Sequence, residues 1–344
     1  MLRFNNDYNQ GCHPAILKAL EETNSCAFAG YGCDELCQRA KDEIKKYLGK
    51  ADADIHFLTG GTQVNYVLIQ AALRPYQSVV CPDSGHINVH ESGAVENTGH
   101  KIETSPNVNG KITAAQIKDH AEGFLSSGIK EHITQPKLVY ISFPTEYGTI
   151  YSKKELSEIS ETCRKYGFYL FMDGARMGYG LGCKENDLTL SDIAQLTDAF
   201  TIGGTKCGAL FGEALVITNA AIKPDFRNYL KMSGAMLAKG WLLGLQFYEL
   251  FKDGLYFKIT KRACEDAMLI REAFAQKGFE FYYDSPTNQQ FVIVNEEQMN
   301  KLAGKYYFEY EADLGGGRSC IRFCTSWATP KENITELIKD IKAL

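Results

Sequence analysis

Apolar positions along most of this chain follow two alternating periods. Short runs rich in Val, Ile, Leu and Phe predict strands at Asp54–Leu58, Ser78–Cys81, Lys101–Thr104, Lys137–Phe143, Tyr169–Met172, Ala199–Ile202 and Ala214–Thr218. Between them the spacing widens to that of helices. Leu156, Ile159 and Cys163 fall on one face of Lys153–Tyr166, and Asn65–Leu73 predicts another helix. Two helices precede the first strand. One opens at Pro14, where a missing N–H is tolerated, and the other covers Glu35–Leu48. Strand and helix in alternation predict a mostly parallel sheet buried on both faces.

Past residue 250 the order changes. A long helix, Tyr256–Gly278, leads into strands at Phe279–Tyr283 and Phe291–Val294. A further helix, a strand at Cys320–Thr325 and a last helix over Pro330–Ala343 follow. The expected architecture is α/β, with a large domain over residues 1–250 and a smaller C-terminal α+β domain over residues 251–344. No internal repeat or low-complexity segment interrupts it.

Composition removes several classes of function. A net charge of -5 leaves no basic footprint for nucleic acid. No apolar run approaches the ~18 residues of a membrane span. The opening residues, from Met1 to His13, lack the apolar core of a secretion signal. Eleven cysteines, odd in number and without a C-x-x-C pair, read as reduced thiols. These features predict a cytoplasmic protein with no nucleic-acid or membrane partner.

Candidate chemistry collects where predicted strands end, which is where open α/β sheets bind ligands. Phe57-Leu-Thr-Gly-Gly-Thr-Gln lies between a strand and a helix. Gly60 and Gly61 let the backbone approach a phosphate, Thr62 adds a hydroxyl, and the helix presents free N–H groups. The stretch is not a nucleotide P-loop, and by itself it also suits an ordinary Gly-Gly turn. Phe171-Met-Asp-Gly-Ala-Arg places Asp173 at a strand end. A carboxylate there can keep a heterocyclic nitrogen protonated, or simply cap a helix with Arg176 as its ion-pair partner. In Phe200-Thr-Ile-Gly-Gly-Thr-Lys, Lys206 follows a strand inside a glycine-rich turn, a setting that suits a Schiff-base amine. Thr205 beside it is a second phosphate contact. His86 and His90 stand four apart, but no third ligand and no H-E-x-x-H pattern accompany them, so no metal is expected. Ring stacking or proton handling suits His86 better. Arg322 interrupts an apolar strand and needs an anionic partner, either a structural carboxylate or a substrate carboxylate.

In chain order, these residues and the stretch Ala29-Gly-Tyr-Gly-Cys-Asp resemble the L-threonine aldolase family, grouped with the aromatic amino-acid β-eliminating lyases. The resemblance runs from Asn5 to the end. It implies a fold type I enzyme that carries pyridoxal 5′-phosphate on Lys206. It implies that Asp173 binds the pyridine nitrogen, that His86 stacks on the ring, and that Gly60, Gly61, Thr62 and Thr205 hold the phosphate. Arg176 and Arg322 would grip the substrate carboxylate, and Tyr31 would reach a neighbouring subunit's site. A homodimer or a dimer of dimers, the homotetramer, follows from the same resemblance. The chain also departs from the family. Tyr31-Gly-Cys-Asp-Glu stands for Tyr-Gly-Asp-Asp-Pro, Asn6 stands for a serine, and Glu146 stands for a histidine near the substrate hydroxyl.

The reaction expected on these grounds is cleavage of a β-hydroxy-α-amino acid, L-threonine or L-allo-threonine, to glycine and an aldehyde. Glu146 and His86 are the candidate bases. The same electron sink also serves β-elimination and racemisation. A catalytically idle cofactor-binding protein is a further alternative, because fold does not fix function. A nicotinamide dehydrogenase is disfavoured, because no G-x-G-x-x-G follows the first strand.

Overall fold

In the computed structural model, which describes residues 1–344, seven strands build the main sheet. They are β1 (Asp54–Leu58), β2 (Gln77–Pro82), β3 (Ile102–Ser105), β4 (Gln135–Ser142), β5 (Tyr169–Asp173), β6 (Ala199–Gly203) and β7 (Glu213–Ile217). Their spatial order is β1-β7-β6-β5-β4-β2-β3. Only β7 runs against the rest, pairing antiparallel with both β1 and β6. The other pairings are parallel, as the strand–helix alternation predicts.

Both faces of this sheet are buried, and neighbouring residues of one strand serve opposite faces. Val139 and Ile141 join one apolar cluster, with Leu156, Ile159 and Cys163 of the helix Lys153–Tyr166. Leu138 and Tyr140 join another, with Val64, Val67 and Leu68 of the helix Gly61–Ala72. That second helix begins four residues earlier than its apolar spacing suggests, because Gly60 serves as its N-cap in an extended conformation.

The register aligns the strand ends in two groups. Glu213, the first residue of β7, pairs with Leu58, the last of β1, and with Gly203, the last of β6. Asp173, the last of β5, pairs with Ser142 of β4. The turns beyond these ends are forced together. A Cβ on Gly174 would lie 1.9 Å from the Thr201 carbonyl oxygen, and one on Gly203 would lie 2.2 Å from that of Ala175. Only glycine allows such an approach, so the Asp173 and Lys206 turns touch backbone to backbone.

A second sheet is antiparallel, with β9 (Glu309–Gly315), β10 (Arg318–Cys324) and β8 (Gln289–Asn295) in that order. It packs under Ile270 and Phe274 of the long helix Leu255–Gln276 and under Leu337 of the last helix. The first residues of the chain belong to this body. Leu2 and Arg3 pair with Tyr306 and Tyr307, and Phe4 is fully buried in its core. One expectation fails here, and one strand was not foreseen. Phe279–Tyr283 is not a strand: Phe281 makes one isolated bridge to Val292, and its neighbours serve aromatic contacts. Glu309–Gly315 is a strand without an apolar signature, because it lies on the sheet edge with most side chains in solvent.

Candidate active site

A cleft of about 320 Å³ opens over the aligned strand ends. That volume lies in the range of small-molecule sites. Its wall brings together Gly60, Gly61, Thr62, His86, Glu146, Asp173, Arg176, Thr205 and Lys206, residues spread over most of the chain.

Each comes from a distinct element. Beyond β1, the first bond inside the helix Gly61–Ala72 runs from Val64 N–H to the Gly60 carbonyl. The N–H groups of Gly61, Thr62 and Gln63 are therefore free at the helix's positive end. A Cβ built on Gly60 or Gly61 meets nothing within 4 Å, so these glycines leave open space in the cradle. Thr205 faces them from the turn after β6, where its hydroxyl accepts the Gly212 N–H at 3.0 Å.

Asp173 is almost fully buried. Its Oδ1 accepts the Ala175 N–H at 2.9 Å. Its Oδ2 accepts from Asn65 Nδ2 at 2.9 Å and from the Tyr140 hydroxyl at 2.8 Å. The carboxylate is thus held in one orientation. Asn65 Nδ2 also donates to Glu91 Oε1 at 2.7 Å, and the same Glu91 oxygen lies 2.8 Å from His86 Nδ1. Burial opposes charge on His86, but the Glu91 hydrogen bond and the charges of Asp173 and Glu91 outweigh it and raise its pKa. The His86 ring is thereby oriented and its charge supported.

Lys206 is half-buried. Burial first, then the Arg176 charge, lower its pKa, against Asp7, Glu213 and Asp173. A lowered pKa leaves more of the amine neutral and nucleophilic. The ring of Tyr8 lies 5.9 Å from its nitrogen. Glu146 accepts the Ser142 hydroxyl at 2.7 Å and the His86 backbone N–H at 3.0 Å, both on Oε1. Its Oε2 is buried without a partner. Burial raises its pKa, against Ser142, its own backbone and His86.

Arg176 donates from Nε at 2.7 Å and Nη2 at 3.0 Å to the fully buried carboxylate of Asp7. One edge of its fork is therefore occupied, and the edge carrying Nη1 remains for a second carboxylate. Arg322, Asn6 and Tyr31 do not line the cleft. Arg322 lies behind the N-terminal segment, 3.0 Å from Glu311 Oε1, with its Nη2 donating weakly to the Asn5 carbonyl at 3.4 Å. Its Nε is buried without a partner. Asn6 Oδ1 accepts the Tyr8 N–H at 3.1 Å. Tyr31 is exposed, adopts a left-handed φ of 63°, and sits under Lys231 at 4.7 Å.

Asp7, Tyr8, Asn65, Glu91, Ser142 and Glu213 escaped the sequence reading. Asn65 and Glu91 lie five residues beyond Gly60 and His86, which the sequence reading singled out, so only their side-chain direction was hidden.

A lysine and an aspartate at adjacent ends of a mostly parallel seven-stranded sheet, beside a glycine cradle, define a fold type I pyridoxal-phosphate enzyme. The same fold occurs in a variant of Thermus thermophilus aspartate aminotransferase, at a TM-score of 0.72 and 13% identity over 100% of this chain and 91% of that one. The chain belongs to the β-eliminating lyase family, whose model matches residues 14–304. It is 31% identical to a low specificity L-threonine aldolase from a Pseudomonas species, over 99% of this chain and 97% of that protein. A solved structure of Leishmania major threonine aldolase superposes at a TM-score of 0.97, with 42% identity over 100% of this chain and 99% of that one. Pyridoxal 5′-phosphate is the cofactor of this family, and the residues present fit it: an amine of lowered pKa, a fixed carboxylate and open glycines below free N–H groups.

Proposed function

We propose that this chain cleaves a β-hydroxy-α-amino acid, L-threonine or L-allo-threonine, to glycine and an aldehyde by retro-aldol chemistry. The observation that carries this reading is Glu146, whose unpartnered oxygen shares one cleft with Lys206 and Asp173. Similarity to threonine aldolases over the whole chain supports it.

When bound, the cofactor supplies the electron sink into which the Cα–Cβ bond breaks. The protein does the rest. Lys206 offers a neutral amine to hold the cofactor. Asp173, fixed by three donors, holds a proton on the ring nitrogen. The free edge of Arg176 binds the substrate carboxylate and turns the scissile bond toward the ring face, which selects the bond that breaks. Arg322, expected to share this grip, is bound instead to Glu311 and the Asn5 carbonyl outside the cleft. Glu146 takes the proton of the β-hydroxyl on Oε2 as the carbonyl forms. Its raised pKa makes it a stronger base than an exposed glutamate. His86, oriented by Glu91, covers the ring.

A second subunit completes the assembly in this reading. Tyr31 lies outside its own cleft, exposed and held in a left-handed conformation, as a residue serving a partner's site would be. A closed dimer, or a dimer of dimers, fits that placement. All eleven cysteines are unpaired, which supports a reducing compartment.

The test is product analysis with L-threonine and L-allo-threonine. Glycine with acetaldehyde is expected. A keto acid with ammonia would assign β-elimination instead.

A further inference from the structure

We propose that Glu213 holds a proton and donates it in a hydrogen bond to the phosphate of the bound cofactor, so that cofactor binding takes up a proton. The inference rests on reading the cleft as the pyridoxal-phosphate site.

The argument starts from position. Glu213 pairs in register with both Leu58 and Gly203. It therefore stands between the two turns that form the cradle, Thr59–Thr62 and Gly204–Lys206. Its side chain lines the cleft with them and is 4% exposed. The Gly204 N–H donates to Oε2 at 2.8 Å.

Charge then limits its state. Four carboxyls line the cleft, those of Glu91, Glu146, Asp173 and Glu213, against the cations Lys206 and Arg176 and the ring of His86. A dianionic phosphate adds to the acidic side. Glu91 takes donors from Asn65 and His86, Asp173 takes three donors, and Glu146 takes two. Glu213 has the Gly204 N–H, with only the Thr205 hydroxyl as further help. An ionised carboxylate there would repel the phosphate that the cradle is built to hold. A protonated one becomes a further donor.

Burial agrees, pushing the Glu213 carboxyl up to about 7 in spite of Thr205, Lys206 and the Gly204 N–H. The groups that face it are Lys206 and Cys207 from the lysine turn, Asp173 from β5 and Tyr256 from the long helix. Burial keeps Cys207 and Tyr256 neutral at ordinary pH. An arriving phosphate raises the Glu213 pKa further, because like charge disfavours ionisation. The bound state therefore keeps a proton that the free protein loses above about pH 7, and affinity falls as pH rises.

The experiment is calorimetric titration of the full chain, freed of cofactor, with pyridoxine 5′-phosphate. This ligand has no aldehyde and forms no bond to Lys206. Measured near pH 8 in two buffers of different ionisation heat, native protein is expected to take up close to one proton per site more than Glu213→Gln. Equal uptake by both proteins overturns the proposal and leaves the cofactor site standing. Failure of native protein to bind this ligand or pyridoxal 5′-phosphate overturns the cofactor reading as well. Should Glu213→Gln not fold, Glu213→Ala takes its place in the same comparison, and the same outcomes decide.

Discussion

Replacing Lys206 with alanine removes the only lysine that lines the cleft. The fold should survive, because the amine makes no hydrogen bond within the chain. Borohydride reduction of native protein with its cofactor, followed by peptide mapping, should label Lys206, and Lys206→Ala should take no label. Glu146 carries a pH signature. Its pKa is raised, so it holds a proton at pH values where an exposed glutamate is already ionised. The rate of cleavage is expected to rise with pH through that raised value. Glu146→Gln should slow cleavage at least tenfold and abolish that limb, with cofactor binding unchanged. Asp7 behaves in the opposite sense. Burial opposes its charge, but Arg176, Lys206 and the hydrogen bonds from Arg176 and Asn288 outweigh it, and its pKa falls below the ordinary 3.8. Its contribution to stability is therefore complete above about pH 4 and is lost as pH falls through the depressed value. Asp7→Asn leaves Arg176 without its ionised partner and is expected to lower stability by roughly 3 kcal/mol in urea unfolding near neutral pH.

Among the elements, the loop after β4 is held from outside the main sheet. It carries Glu146, and the residues next in sequence are clasped by the segment that precedes β8. Tyr147 stacks on Tyr283 with centroids 3.9 Å apart and planes 8° apart. The Gly148 carbonyl accepts from Ser285 at 3.2 Å and from Thr287 at 3.0 Å. Tyr283→Ala should therefore loosen Glu146 while sparing the cofactor contacts, which sit on β5, β6 and the helix after β1. A several-fold loss of kcat with an unchanged cofactor dissociation constant is expected. A double-mutant cycle with Tyr147→Ala should give a coupling of about 1 kcal/mol in stability. These contacts show why some elements were legible and others were not. The inner strands of the main sheet are buried on both faces, so their runs stand out. Phe279–Tyr283 is equally aromatic, yet its rings pack against Tyr147, Phe274 and Phe291, and no ladder forms. Glu309–Gly315 forms a ladder with only one strand and faces water, so nothing apolar marks it.

For the whole molecule, the assembly supplies the sharpest prediction. Tyr31, Lys231 and Arg227 form a cluster on the surface apart from the cleft, with the Arg227 guanidinium donating to the Tyr31 carbonyl at 3.1 Å. If Tyr31 serves a neighbouring subunit, Tyr31→Ala and Lys206→Ala should each be nearly inactive alone. After subunit exchange, the mixture should recover up to a quarter of native activity per total subunit, because half of the chains are in mixed dimers and each mixed dimer keeps one intact site. Mixtures that stay inactive after proven exchange would show that Tyr31 acts within its own chain or not at all. Sedimentation of native protein at assay concentration is expected to show a dimer or larger.

Local physics was enough for much of this protein. Two-sided burial of the inner strands, helical spacing between strands, and glycines around Asp173 and Lys206 are properties of neighbouring residues, so sequence alone determined the sheet, its ends and the lysine that stands there. Pairings between distant residues were decided by the tertiary structure. Asp7 occupies one edge of Arg176 across 169 positions, Asn65 ties Asp173 to Glu91, and Glu213 enters the cradle because β7 inserts between β1 and β6. Strand order and burial set those contacts. Neither is a periodicity, and the proton each carboxyl keeps depends on which distant groups the fold brings against it.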